Sequence, residues 1–148
     1  MNRRSFLFST LTSTVLAATA RTFGFQTTKE SAAIRLSSLR PRLANQGWGS
    51  LSFDQGVDGK PLQIADRQFR HGVSIHARSD LVYLAGGRYS AFRAWVGVDD
   101  AASKSEQATA RFLVYGDGTK LFDSDVMKAK TPAIRVDIDV TKDRKSVV

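Results

Sequence analysis

From Ile34 onward apolar residues recur at every second position, the period of a β-strand whose side chains alternate between two faces. Ile134, Val136, Ile138 and Val140 alternate with Arg135, Asp137 and Asp139, which predicts a strand with one buried and one wet face. Phe92, Ala94, Val96 and Val98 face one way while Arg93 and Trp95 face the other, and Ala110, Phe112 and Val114 repeat the pattern. Tyr115-Gly116-Asp117-Gly118-Thr119 then predicts a tight reversal into Lys120-Leu121-Phe122, because Asp-Gly tolerates the positive φ of a hairpin turn. Shorter strands are expected at Leu62 to Ile64, Val73 to His76 and Leu81 to Leu84. No window long enough for a helix carries the 3.6 period. Several short antiparallel strands in one domain predict an all-β fold, an antiparallel β-sandwich or jelly roll.

The amino-terminal stretch follows a different rule. Arg3-Arg4 stand directly before a charge-free segment from Phe6 to about Ala18, and Ala18-Thr19-Ala20 supplies the small-x-small pattern of a cleavage site. Residues 1–20 are therefore expected to be an export signal, with Arg3-Arg4-Ser5-Phe6-Leu7 resembling the twin-arginine form. The segment is short and rich in Ser and Thr, whereas a membrane span needs about 20 mainly apolar residues, so no stable span is expected in the mature chain. Residues 21–33 are polar and have the composition of a linker, leaving 34–148 as one domain destined for the periplasm, the cell surface or the medium.

Composition narrows the chemistry. The 148 residues include no cysteine, which excludes disulfides, thiolate metal sites and a cysteine nucleophile. A net charge of +8 invites a nucleic-acid reading, but the bases are scattered singly, as in Arg67, Arg70, Arg88 and Arg111, with no basic run among aromatics. Nucleic acid is accordingly not an expected partner. Oligomeric state is open.

Seven motifs follow one another across the domain. They are Gly47-Trp48-Gly49, Asp58-Gly59-Lys60-Pro61-Leu62, Gly72-Val73-Ser74-Ile75-His76-Ala77, Leu84-Ala85-Gly86-Gly87-Arg88-Tyr89-Ser90-Ala91-Phe92, Val96-Gly97-Val98-Asp99-Asp100, Val114-Tyr115-Gly116-Asp117-Gly118 and Val136-Asp137-Ile138-Asp139-Val140-Thr141. In this order, from about Leu36 to Val148, they resemble the NPCBM family of carbohydrate-binding modules associated with glycoside hydrolases. The resemblance implies a galactose-binding-like jelly roll, sugar recognition outside the cytoplasm and, in the wider superfamily, a structural calcium. No other cofactor is required. Family members continue past the Val-Asp-Val-Thr segment with a further apolar strand and an acidic, aromatic tail, whereas this sequence reads Lys145-Ser146-Val147-Val148, so the sandwich is expected to lack its last strand or strands.

Sugar binding needs an aromatic platform for the apolar face of a pyranose and a few convergent polar groups for its hydroxyls. Trp48, between two glycines, is the candidate platform; the alternative is a plug at one end of the sandwich. His76 and Arg78 follow the Val73 to Ile75 strand, and Ser74 and His76 lie opposite Val73 and Ile75, where they could donate to hydroxyls. The alternative for His76 is a structural tie between loops. His71 is expected on the surface. Asp99 and Asp100 end a strand where acids could hold calcium through oxygen, although turn capping explains acids there equally well.

Catalysis is not expected. Neighbouring carboxylates at a strand end point to opposite sides, neither Glu30 nor Glu106 lies in a motif, and no Gly-x-Ser-x-Gly elbow is present. The expected function is an exported, non-catalytic module for galactose-type or related glycans. Two alternatives stand beside it: an exported β-sandwich for protein contact or adhesion, and the targeting half of a larger glycoside hydrolase. Convergence of Trp48, His76 and Arg78 in one exposed place would favour the first.

Overall fold

The computed structural model describes residues 5–9, 33–105, 107–142 and 145–147. Two five-stranded sheets face each other. Sheet A has the order β11-β8-β1-β6-β3, with β1 Ser5–Ser9, β3 Ser52–Phe53, β6 Gly72–His76, β8 Ala91–Val98 and β11 Ile134–Asp139. Sheet B has the order β10-β9-β12-β7-β2, with β2 Leu43–Gln46, β7 Ser79–Leu84, β9 Thr109–Gly116, β10 Thr119–Lys128 and β12 Lys145–Val147. A separate hairpin joins β4 Leu62–Ile64 to β5 Arg67–Phe69. The predicted β-sandwich is thus the observed fold, and all its ladders are antiparallel.

The alternation read from the sequence sorts side chains as expected. Val73 and Ile75 of β6, Ala94, Val96 and Val98 of β8, and Val136 of β11 meet Leu81, Ala110, Phe112 and Met127 of sheet B in one core. At Asp117-Gly118 both residues take positive φ, +44° and +90°, so β9 and β10 close through the primed turn that matches strand twist.

The β4–β5 hairpin covers the outer face of sheet A. Its Leu62, Ile64 and Phe69 form a second buried cluster, against which Trp95 packs from β8. The Arg67 guanidinium lies 4.1 Å from the centre of the Trp95 ring, a cation–π contact that closes this layer from outside. Sheet A is therefore buried on both faces around β6 and β8, and every residue of β6 is buried.

Of the expected leader, Ser5–Ser9 forms β1, between β6 and β8, and the remainder lies outside the described residues, as does the linker up to residue 32. Among the described residues no helix is long and apolar enough to cross a membrane.

Candidate functional site

Two loops meet at one corner of the sandwich. β2 runs out of sheet B into Gly47-Trp48-Gly49, and β6 runs out of sheet A into Ala77-Arg78; the Gly47 N–H donates to the Arg78 carbonyl at 2.9 Å. From inside the loop the Gln46 Nε2 donates to the Gly49 carbonyl at 2.7 Å. The Ala77–Arg78 peptide is cis. Gly49 is needed on two counts, since its φ is +77° and a Cβ there would come within 2.3 Å of the His76 Cδ2.

That close approach lays the Trp48 ring on the His76 imidazole, with centroids 3.7 Å apart and planes inclined by 29°. His76 is 5% exposed and Trp48 is 40% exposed, so the histidine is a floor and the indole is the surface. Ser74 and His76 do lie on the face of β6 opposite Val73 and Ile75, and Arg78 is exposed beside them. The structure thus brings Trp48 onto His76 and brings the Arg78 backbone, through its carbonyl, to the Gly47 end of the same loop. Sequence reasoning missed Gln46, whose Oε1 is buried in this corner with no hydrogen-bond partner. It belongs to no motif, and only its position at the end of β2 betrays it.

Asp99 and Asp100 part company. Asp99 caps a short 3-10 turn, Asp100–Lys104, its Oδ1 accepting from the Ala101 N–H at 2.8 Å. Its Oδ2 is buried without a partner, and burial, with the charges of Asp58 and Asp100 nearby, pushes the carboxyl up to about 6. Asp58 shares this place: a Cβ at Gly56 would lie 2.9 Å from the Asp58 Oδ1 and 3.3 Å from the Asp99 Oδ2. The two carboxylates line a cleft of about 290 Å³, with Lys60 and Lys104 also in its wall. Asp100 instead uses both oxygens on the Ala65 and Asp66 N–H groups, each at 2.9 Å. Among the described residues no three acidic or histidine side chains group as metal ligands. The Asp99 Oδ2 thus lies near the Asp58 carboxylate, which the Lys60 N–H and Nζ also engage, whereas the Asp100 carboxylate is taken up by the Ala65 and Asp66 N–H groups.

A larger open cavity, about 410 Å³, lies at the other end of the β2–β7 ribbon and is lined by Leu39, Arg42, Tyr83, Arg88, Tyr89 and Phe92, among others. Its wall takes Leu84, Ala85, Arg88, Tyr89 and Phe92 from one of the seven motifs, but holds none of the candidate site residues Trp48, His76, Arg78, Asp99 and Asp100. The Tyr83 hydroxyl is buried there without a partner, and burial pushes its pKa up to about 12.

The model of the NPCBM/NEW2 domain matches residues 32–147. The chain belongs to the NPCBM/NEW2 family. Solved structures agree with the assignment of this NPCBM domain. The CBM51-2 and INT domains of Clostridium perfringens ZmpB superpose with a TM-score of 0.71 at 32% identity, over 76% of this chain and 26% of that one; a further structure of that pair holds GlcNAc. A CBM51 from Clostridium perfringens GH95, in complex with methyl-galactose, gives 0.66 at 28% identity, over 77% of this chain and 83% of that one. In sequence, the "Putative endo-alpha-N-acetylgalactosaminidase" of Renibacterium salmoninarum is 37% identical over 95 residues, which is 60% of this chain and 6% of that protein. The NPCBM domain thus spans a small part of that relative's length.

Proposed function

We propose that this NPCBM domain is an exported, non-catalytic module that holds galactose-type or N-acetylhexosamine-type glycans at the Trp48 corner. The observation that carries the reading is the half-exposed indole backed by a buried imidazole, with the Arg78 carbonyl and the Gln46 Oε1 in the same corner. A rigid ring removes the apolar face of a pyranose from water at about 25 cal/mol per Å², while each polar contact nets only about 1 kcal/mol, because water competes for the same hydroxyls. Stacking thus supplies affinity and the polar groups choose between sugars. Support comes from the similar CBM51 structures with bound GlcNAc and methyl-galactose. The non-catalytic reading is supported by a structure in which CBM51 domains accompany a separate M60 catalytic domain. Export is supported by the sequence of residues 1–20.

The test is titration calorimetry with methyl-galactose and N-acetylglucosamine, paired with thermal melts. Trp48→Ala should weaken binding at least about tenfold, roughly 1.4 kcal/mol, with an unchanged melt. Gly49→Ala, which keeps the tryptophan but drives a methyl group into His76, should weaken it as well. His76→Ala and Arg78→Ala should lose less affinity and alter the preference between the two sugars. Binding that survives Trp48→Ala but disappears with Tyr89→Ala would move the site to the 410 Å³ cavity. No binding to either sugar would leave the protein-contact reading in its place.

We propose also that Asp99 and Asp58 hold a calcium ion that ties the 56–61 loop to the end of β8, a structural role with no part in chemistry. Calcium should raise the melting temperature of the full chain and fail to do so in Asp99→Asn.

A further inference from the structure

The cavity of about 410 Å³ lies at the Leu84 end of β7, whereas the Trp48 corner lies at the Ser79 end, where β7 pairs with Gln46. Two loops build its wall. The segment leading into β2 brings Leu36, Leu39 and Arg42, and the loop from β7 to β8 brings Arg88 and Tyr89. In that second loop Gly86 and Gly87 both take positive φ, +59° and +66°, so the chain curls back and the Arg88 N–H reaches the Ala85 carbonyl at 3.1 Å. The curl lays the Arg88 guanidinium against the wall: its Nε and Nη2 lie 3.4 Å from the Ala85 and Leu84 carbonyls, and its carbon is 5.8 Å from the centre of the Tyr89 ring.

These contacts leave the guanidinium underused. Both hydrogen bonds are long against the usual value of about 2.9 Å, and among the described residues its Nη1 makes none. No carboxylate lines the cavity, and among the described residues neither Arg42 nor Arg88 has an ion-pair partner. Arg40, the third arginine of the wall, carries its guanidinium 5.6 Å from the Phe53 ring. The charged groups here are therefore all cations, which donate hydrogen bonds and accept none.

The remaining wall is mostly apolar, but not throughout. The Tyr83 hydroxyl, on a side chain 6% exposed, has no hydrogen-bond partner. A hydrocarbon acid would meet the guanidiniums with its head and set its tail against that hydroxyl. A sugar instead offers a C–H face to the rings and hydroxyls around its edge, although a neutral sugar also needs acceptors that cationic side chains do not supply. A carboxylate on the sugar removes that mismatch and fits the guanidinium fork. The volume lies within the range of small-molecule sites, about 300 to 1,000 Å³.

We propose that this cavity is a glycan subsite distinct from the Trp48 corner, and that it takes an acidic sugar residue of the hexuronic acid class. Arg88 engages the carboxylate, Arg42 adds positive charge, and Tyr89 seats the ring. None of the three belongs to the Trp48 corner, so the subsite does not depend on the reading given for that corner.

The test is titration calorimetry on the full chain at low salt with three probes. Methyl glucuronide is the sugar acid; methyl glucoside has a hydroxymethyl group in place of its carboxylate; cyclohexanecarboxylate keeps the ring and the charge without hydroxyls. The glucuronide should bind at least about tenfold more tightly than either of the others, and more weakly at 1 M salt. Arg88→Gln should weaken it at least about tenfold with an unchanged melt, Arg88→Lys, which keeps the charge but not the fork, should fall between, and Trp48→Ala should leave it unaltered. Equal binding of glucuronide and glucoside would overturn the role of the carboxylate, and equal or tighter binding of cyclohexanecarboxylate would overturn the sugar class. Absence of glucuronide binding, its survival in Arg88→Gln, or its loss in Trp48→Ala would overturn the subsite.

Discussion

The two sheets of this sandwich have unlike outer faces. In sheet B the outward side of β9 and β10 meets water, and its chemistry is an exposed network in which Arg111 and Lys120 both reach Asp123. In sheet A the outward side of β8 carries Trp95 and Gly97 and lies beneath the β4–β5 hairpin. The candidate chemistry gathers at the ends of the doubly covered strands, His76 at the end of β6 and Asp99 just past β8. A covered strand is rigid enough to hold a buried imidazole or carboxylate in place, whereas a wet face screens its charges and leaves side chains free.

The largest effect that probes this contrast is at Val96, which is 0% exposed and central in sheet A. Val96→Asp would place an unpaired charge in the core, costing more than about 4 kcal/mol, a large share of the stability of an ordinary domain. Loss of a cooperative melt is the expected outcome. A native-like melt would mean that the core side of β8 has been misassigned.

This part of the fold was legible because strict alternation is dictated by burial on one face, as in β8, β9 and β11. Other parts were not. β5 went unseen because the Ala65-Asp66 turn lacks glycine; both residues take positive φ, +47° and +65°, and the turn is held by the carboxylate of Asp100, 34 residues away from Asp66. A local signal cannot report such a tertiary staple. β2 is mostly exposed, so no apolar period marked it. At the site, Gly-Trp-Gly was readable as chemistry, but the stacking of Trp48 on His76 depends on the loops meeting. His71, expected on the surface, is 3.3 Å from Asp54.

Gly97 gives the next test. A Cβ there would approach the Ile64 Cγ2 to 2.6 Å, and Ile64 is 1% exposed, so neither side can yield freely. Gly97→Ala should cost about 1–3 kcal/mol by overpacking. A neutral result, read from denaturant melts, would show that the hairpin rides loosely and that the outer face of sheet A is no more constrained than that of sheet B.

Asp99 sharpens the contrast through pH. Its carboxyl is raised to about 6 in the folded state, chiefly by burial, against an ordinary value of 3.8. The folded protein therefore binds the proton more tightly than the unfolded chain, and its contribution to stability is full below about pH 4 and is lost as pH rises through 6. Without calcium, the melting temperature of wild type relative to Asp99→Asn should fall over this window, and calcium should reverse the fall at pH 7. A pH-independent difference between the two proteins would contradict the burial of the Asp99 Oδ2.

The smallest effect belongs to sheet B, and its smallness is what the comparison requires. Arg111 donates to Asp123 through Nε and Nη2, and its side chain is 50% exposed. The hydrogen bonds from Arg111, then those from Lys120, hold the Asp123 carboxyl well below its ordinary range. A depressed acid contributes stability above its unfolded value and loses it as pH falls below about 4. Arg111 and Lys120 each remain half in water, however, where salt screens the attraction and ordering two long side chains offsets much of it. Lys120 also remains on Asp123 when the arginine is removed. Arg111→Ala should therefore shift the melting temperature by no more than about 3 °C at pH 7 and low salt, and by less at 1 M salt or at pH 2. If the shift equals that of Gly97→Ala and survives high salt, the outer face of sheet B contributes to stability as the covered face of sheet A does, and the difference between the sheets is one of appearance only.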